Sequence, residues 1–288
     1  MQRFTSLDDF SVEMQDGNVI IGAPVEMMDA KVEFKGKNNI MFFDDNVKLY
    51  QSSLRFLGDN NVIFVCSSEK HIIRLNVDAY NNSVFYIGKD ANTTRPIRVA
   101  LSEGKNVVIG DTSLFSFGTW FRNSDPHLIY DAKTGKRINE SKSVYLGDHV
   151  WVGQDVLISK GTKVGSGTII GAKALTGGKT FPSNCSIGGI PCKVIKKDIF
   201  WLKPAVHFYT PEDTQNSLEY DKDTYIYSQD SNQLSFDTIE NEIQKAITSA
   251  EKLEVLKKYL FNNNDKNRFF IPDNTENTKP NRKSLFKK

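Results

Sequence analysis

Between Leu146 and Ile170 an aliphatic residue returns every sixth position: Leu146, Val152, Ile158, Val164 and Ile170. The residue after each is Gly147, Gly153, Ser159, Gly165 and Gly171, and Gly177 closes the series. Four places after each aliphatic comes a small or β-branched residue, in turn Val150, Val156, Thr162, Thr168 and Ala174. A period of six matches neither an amphipathic helix at 3.6 nor an alternating strand at 2.0. It predicts one short strand and one bend per six residues. On this reading the aliphatic and the small residue face a narrow core, and the glycine takes the bend.

A coarser repeat precedes this one. Gly36-Lys37-Asn38-Asn39 leads into Ile40-Met41-Phe42, and Gly58-Asp59-Asn60-Asn61 into Val62-Ile63-Phe64. Asn81-Asn82-Ser83 then leads into Val84-Phe85-Tyr86, and Gly104-Lys105-Asn106 into Val107-Val108-Ile109. Polar turn and short β-rich run recur about every 21 to 24 residues, with Asn and Gly suited to turns and Val, Ile, Phe and Tyr to strands. A meandering antiparallel sheet would give such a pattern. Irregular early coils, over 30–115, of one β-helix that the six-residue repeat continues fit the interval better. Residues 1–30 are weakly patterned, with one strand candidate at Asn18–Ile21.

The repeat breaks at 117–143, and long loops in compact repeat domains are usually functional or disordered. Strict coils resume over 144–195, so the β-helix domain is expected to span 1–202. Residues 203–233 are polar and read as an irregular linker. Over 234–261 one helix is expected, with Ile239, Ile243, Ala246, Ile247, Ala250, Leu253 and Leu256 on its apolar face. Asp237 would be its N-cap and Glu240 the other half of a capping box. The basic tail 262–288 reads as disordered.

Composition narrows the function without naming it. The 288 residues are 39% hydrophobic and 25% charged, with a net charge of +2 and the two signs interleaved. A general nucleic-acid binder would cluster its basic residues, so none is expected as partner. No apolar run approaches the roughly 18–20 residues of a membrane span. The first ten residues contain Asp8 and Asp9 and no apolar core, unlike a secretory signal, so a cytoplasmic location without membrane insertion is expected. Cys66, Cys185 and Cys192 form no Cys-x-x-Cys pair, and Cys66 reads as a buried thiol.

Three segments together carry a resemblance. The loop Arg122-Asn123-Ser124-Asp125-Pro126-His127-Leu128-Ile129-Tyr130-Asp131 is similar to the Asp-x-His-x-Ile-Tyr-Asp loop of bacterial polysaccharide O-acetyltransferases. Asp148-His149-Val150-Trp151-Val152-Gly153 resembles their Asp-x-Val-Trp-Ile-Gly coil. Gly188-Gly189-Ile190-Pro191-Cys192-Lys193-Val194-Ile195 resembles their closing Gly-x-Pro-Ala-Lys-x-Ile segment. The chain thus resembles the hexapeptide-repeat acyltransferases, and among them the bacterial capsular polysaccharide (polysialic acid) O-acetyltransferases. The motifs cover roughly residues 100–195.

The resemblance implies an all-β fold, a left-handed parallel β-helix with a C-terminal α-helical extension, assembled as a homotrimer with active sites between subunits. It implies an acetyl-CoA-dependent O-acetyltransferase acting on a hydroxyl of a bacterial surface glycan. His127 would be the general base, since a neutral imidazole accepts a proton near neutral pH, and Trp151 would share in activity. Trp120, Arg122, Asp125 and Tyr130 would contact the glycan, because aromatic faces stack on sugar rings. Asp125 could instead fix the His127 tautomer or simply form an Asp-Pro turn. Gly153, Gly171, Ala172, Lys173, Lys179, Pro191 and Lys193 would line the donor path, although Ala-Leu-Thr-Gly-Gly-Lys replaces the family's Val-Val-Thr-Lys-Asp there. His149, on an outward hexad, reads as solvated. No metal is expected, since His71, His127, His149 and His207 form no close ligand pair. The alternatives are an N-acyltransferase on a nucleotide-sugar, transfer to a serine-type acceptor, and a non-catalytic scaffold on the same fold.

Overall fold

A computed structural model describes residues 1–273. The chain winds as stacked coils of three strands, and equivalent strands pair in parallel to build three long faces. The first face stacks Val19–Ile21, Ile40–Phe43, Val62–Val65, Val84–Ile87, Val107–Ile109, Val144–Leu146, Lys163–Val164 and Thr180–Phe181. The second runs through Asn92–Thr93, Leu114–Phe115, Trp151–Val152, Ile169–Ile170 and Ser186–Gly189. The third includes Lys31–Phe34, Ser53–Phe56, Leu75–Ala79, Ile97–Leu101, Trp120–Arg122 and Leu157–Ser159. Antiparallel strands close both ends: Gln2–Phe4 against Lys31–Phe34, and Cys192–Lys196 against Ser186–Gly189. They cover edges that would otherwise recruit another strand.

The polar-turn repeat is therefore a set of early coils and not a meander, and the coils begin at Val19 rather than at 30. The asparagines divide the work. Asn38, Asn60 and Asn82 take the left-handed turn, at φ 55°, 60° and 58°. Asn39 and Asn61 point inward and form a ladder between coils. The Asn39 amide N–H donates to Asn18 Oδ1 at 3.0 Å, that of Asn61 to Asn39 Oδ1 at 2.9 Å, and that of Ser83 to Asn61 Oδ1 at 2.8 Å. Each buried turn amide thus finds its acceptor one coil away.

In the strict coils Leu146, Val152, Ile158, Val164 and Ile170 are all fully buried, as the period requires. The glycines behave differently from expectation. The left-handed bend falls two residues later, on His149, Asp155, Gly161, Gly167 and Lys173. Gly147, Gly153 and Gly165 are instead demanded by space: a Cβ on each would lie 2.7, 2.7 and 2.6 Å from a backbone nitrogen of the next coil.

Between its end strands the first face is largely buried on both sides. Its inner residues enter the prism core; Phe42, Val62, Phe64, Tyr86, Val108 and Tyr145 meet the C-terminal segment. The expected single helix is two helices, α1 (Phe236–Lys245) and α2 (Ser249–Leu256), followed by a π-helical turn over Lys257–Phe261. Ser235, not Asp237, caps α1, accepting from the Asp237 amide at 3.1 Å. Thr248 caps α2, and its box with Glu251 ends the first helix at Ala246 and leaves Ile247 exposed. Nor is the tail free from residue 262. Arg268 is buried and donates to both oxygens of Asp148, at 2.9 and 2.7 Å, while lying 2.8 Å from Asp111. Phe269 stacks on Phe236. Residues 274–288 of the expected tail lie outside the described residues.

Candidate active site

The break expected over 117–143 is narrower, because Trp120–Arg122 is a strand of the third face; only 123–143 leaves the prism, between that strand and the first-face strand Val144–Leu146, so it sits on the edge joining those faces. Two ion pairs pin it to the coils above and below. Arg137 donates to both Glu103 oxygens at 2.6 and 2.9 Å, and Ser141 Oγ donates to Glu103 at 2.5 Å. These donors hold the Glu103 carboxyl down at about 2. Lys160 donates to Asp125 at 2.6 Å and lowers that carboxyl's pKa. Between the pins Asn139 is buried: its Nδ2 donates to the His127 carbonyl at 2.7 Å and its Oδ1 accepts from the Ile129 amide at 2.9 Å. The backbone carrying His127 is thereby fixed while its ring stays exposed to solvent.

Asp125 does not serve the imidazole of His127; its carboxylate engages Lys160 and Asn139. Beneath the loop a recess of about 380 Å³ is lined by Arg122, Asp125, Leu157, Ser159, Lys160 and Leu175. Trp120 stands on the same face with Arg122 stacked on it, the guanidinium 4.8 Å from the ring centre. Tyr130 is exposed on the loop's own small hairpin, bridged to Arg137. Trp120, Arg122 and Asp125 are therefore grouped near the loop base.

Trp151 is elsewhere. It lies on the second face, paired between Leu114 and Ile169, with 37% of its surface exposed. In a three-sided prism that face is opposite the edge bearing the His127 loop, so one chain does not bring the two residues together. Its neighbour His149 is not solvated, contrary to expectation, but fully buried. The strap that follows the last coil explains this. Trp201 stacks on one side of the His149 ring at 4.0 Å and Tyr225 on the other at 3.7 Å. Nε2 lies 2.9 Å from the Trp201 carbonyl, an acceptor only, so Nε2 carries the proton and Nδ1 faces the Thr112 hydroxyl at 3.2 Å. Burial pushes the His149 pKa down to about 4. Trp201 in turn packs against Trp151, ring centres 5.8 Å apart.

The expected donor residues cluster at one end. Gly153 and Gly171–Lys173 follow one another on the edge between the second and third faces, where a Cβ on Gly153 would meet Ala172 N at 2.7 Å. Ala172 and Lys173 are exposed. Lys179 reaches the closing hairpin, donating to the Cys192 carbonyl at 3.1 Å, so its ammonium is tied to backbone next to Pro191. Pro191 and Lys193 are exposed, and Cys192 is buried behind them.

Sequence reading missed Asn139, Lys160, Glu103 and Arg137, the residues that hold the loop. Only Asn139 and Arg137 lie inside the broken stretch; the other two occupy ordinary coil corners and carry no pattern of their own.

No protein-family model matches the chain. It is 33% identical over 173 residues to the polysialic acid O-acetyltransferase of Neisseria meningitidis, spanning 60% of this chain and 79% of that one. Over 98 residues it is 41% identical to the polysialic acid O-acetyltransferase of Escherichia coli O1:K1 / APEC, 34% of this chain and 32% of the other. The crystal structure of the polySia-specific acetyltransferase NeuO superposes with a TM-score of 0.61 at 30% identity, over 69% of this chain and 93% of NeuO. That of the polysialic acid O-acetyltransferase OatWY superposes with a TM-score of 0.55 at 25% identity, over 69% and 94%. With 79% of the Neisseria meningitidis enzyme's length matched at 33% identity and most of NeuO and OatWY superposed on the coil stack, the chain is an acyltransferase and belongs to the polysialic acid O-acetyltransferase family.

Proposed function

We propose that the protein moves an acetyl group from acetyl-CoA to a hydroxyl of a sialic-acid-containing capsular polysaccharide, with His127 as general base. The acceptor oxygen attacks the thioester carbonyl carbon as its proton passes to the imidazole. The C–S bond then breaks, and the CoA sulfur takes that proton back. The observation that carries this reading is the pinned loop: Glu103, Asn139 and Lys160 fix the His127 backbone at a prism edge while leaving the ring free. The donor lies along Gly153, Gly171–Lys173, Pro191 and Lys193, where coil edge and closing hairpin converge. Trp120, Arg122 and Tyr130 contact the acceptor.

Since His127 and Trp151 occupy an edge and its opposite face, a site using both combines residues of two chains, which favours a homotrimer with sites between subunits. The test is release of CoA thiol from acetyl-CoA in the presence of polysialic acid, with acetyl on the glycan read by mass. Replacing His127 by Ala or Gln is expected to lower kcat by about 10²–10⁴-fold with the fold retained by circular dichroism. A His127→Ala protein that acetylates at the normal rate refutes the assignment.

A further inference from the structure

Resting on that reading of the acceptor, we infer that the third face is a track for a long carboxylated glycan, with Arg98 the centre of a subsite remote from the reacting hydroxyl. Parallel coils repeat their outward positions in register. One row on this face reads Lys31, Ser53, Asn76, Arg98, Trp120 and Leu157. Five steps of about 4.8 Å make it about 24 Å long, more than one sugar spans. Three recesses follow it: about 560 Å³ beside Arg3 and Lys31, about 410 Å³ beside Asn76, Arg98 and Trp120, and the 380 Å³ recess under the His127 loop. The first two share Ser53 and Asn76.

Charge decides the occupant. Arg55 is committed to Asp78 at 2.6 Å, Lys160 to Asp125 at 2.6 Å, and Lys31 and Arg3 to Glu33 at 3.2 and 3.5 Å. Arg98 has no carboxylate partner among the described residues, and Arg122 meets Asp125, already held by Lys160, only through its charge and without an ion-pair contact. The two arginines flank Trp120, Arg98 one coil above it and Arg122 against its ring. An exposed indole between two guanidiniums, beside a hydroxyl, an amide and the mutually neutralised Arg55–Asp78 pair, suits a polymer that alternates sugar faces with carboxylates. The track passes Arg122, the residue from which the His127 loop departs, and ends in the recess under that loop.

The experiment measures acetyl transfer to polysialic acid and to a sialic acid disaccharide by wild type, Arg98→Ala and Arg98→Glu. The expected result is a KM for the polymer raised about tenfold or more, the loss of one charge-assisted contact, with kcat within twofold and the disaccharide KM unchanged. Wild-type KM for the polymer should also climb with added salt, and less steeply in Arg98→Ala. An Arg98→Glu protein with wild-type KM on the polymer overturns the track and leaves the acceptor assignment standing. A change of oligomeric state in that variant, measured by light scattering, assigns the face to a second copy and also overturns it. A wild type that acetylates neither acceptor refutes the underlying function instead.

Discussion

The His149 stack predicts a specific acid sensitivity. Its ring is sealed between Trp201 and Tyr225 with both nitrogens satisfied in the neutral form, Nε2–H on a carbonyl and Nδ1 toward a hydroxyl. Burial lowers its pKa from 6.5 to about 4, and the charge of Lys203 nearby acts in the same direction. Between those values the unfolded chain binds a proton that the folded chain does not. The stability from keeping this ring neutral is therefore complete above pH 6.5 and is lost as pH falls toward 4. About 2.5 units at 1.36 kcal/mol each comes to about 3 kcal/mol, lost at up to about 1.3 kcal/mol per pH unit. Asp111 acts in the opposite sense. Burial raises its pKa from 3.8 to about 6, so the folded chain takes up that proton first and gains stability as pH falls through the same range. A non-titrating replacement separates the two. Asn tolerates the left-handed backbone that His149 adopts at φ 55°, so urea unfolding of wild type and His149→Asn at steps from pH 7.5 to 4.5 is the assay. The stability gap between them should shrink by about 2.5 kcal/mol between pH 7.5 and 4.5, with tryptophan emission reporting release of Trp201. Parallel loss of stability in the two proteins would refute the reasoning.

Two further outcomes follow from the geometry. His127→Ala and Trp151→Ala proteins, each deficient alone, should regain part of the transferase rate when co-expressed and co-purified, because a mixed assembly can contain one intact site made from two chains; no recovery places both residues in one subunit's site or removes Trp151 from it. Gly147→Ala and Gly171→Ala occupy the same hexad position, but the new Cβ meets Ser166 N at 2.7 Å in the first and nothing nearer than 3.3 Å in the second. Denaturant unfolding should show a loss of about 1–3 kcal/mol for Gly147→Ala and a clearly smaller one for Gly171→Ala, and equal losses would mean the coils shift freely.

The division between what the chain displays and what it conceals follows from the range of each interaction. A β-helix core is written locally: one inward apolar residue per strand, repeated at every coil, so Leu146 to Ile170 and the looser Met41, Ile63, Phe85 and Val107 series mark the coils without any structure. The glycines were legible as a pattern but misleading as a cause, since period alone does not separate a residue that bends the chain from one that admits a neighbouring backbone. His149 shows the other limit. In its hexad it occupies an outward corner, and the residues that close over it come from far along the chain, Trp201 52 positions later and Tyr225 beyond that. Arg268 reaches Asp148 across 120 positions, and no periodicity announces such a pair. The loop shows both effects at once. Its interruption of the repeat exposes it in the sequence, and His127 with it, but its rigidity comes from Glu103 and Lys160 on coils that look ordinary. A repeat protein therefore advertises its scaffold in its regularities and its chemistry in their breaks. The contacts that orient the chemistry are spread over positions that the repeat makes look alike, which is why His127 was visible in the sequence and Asn139 was not.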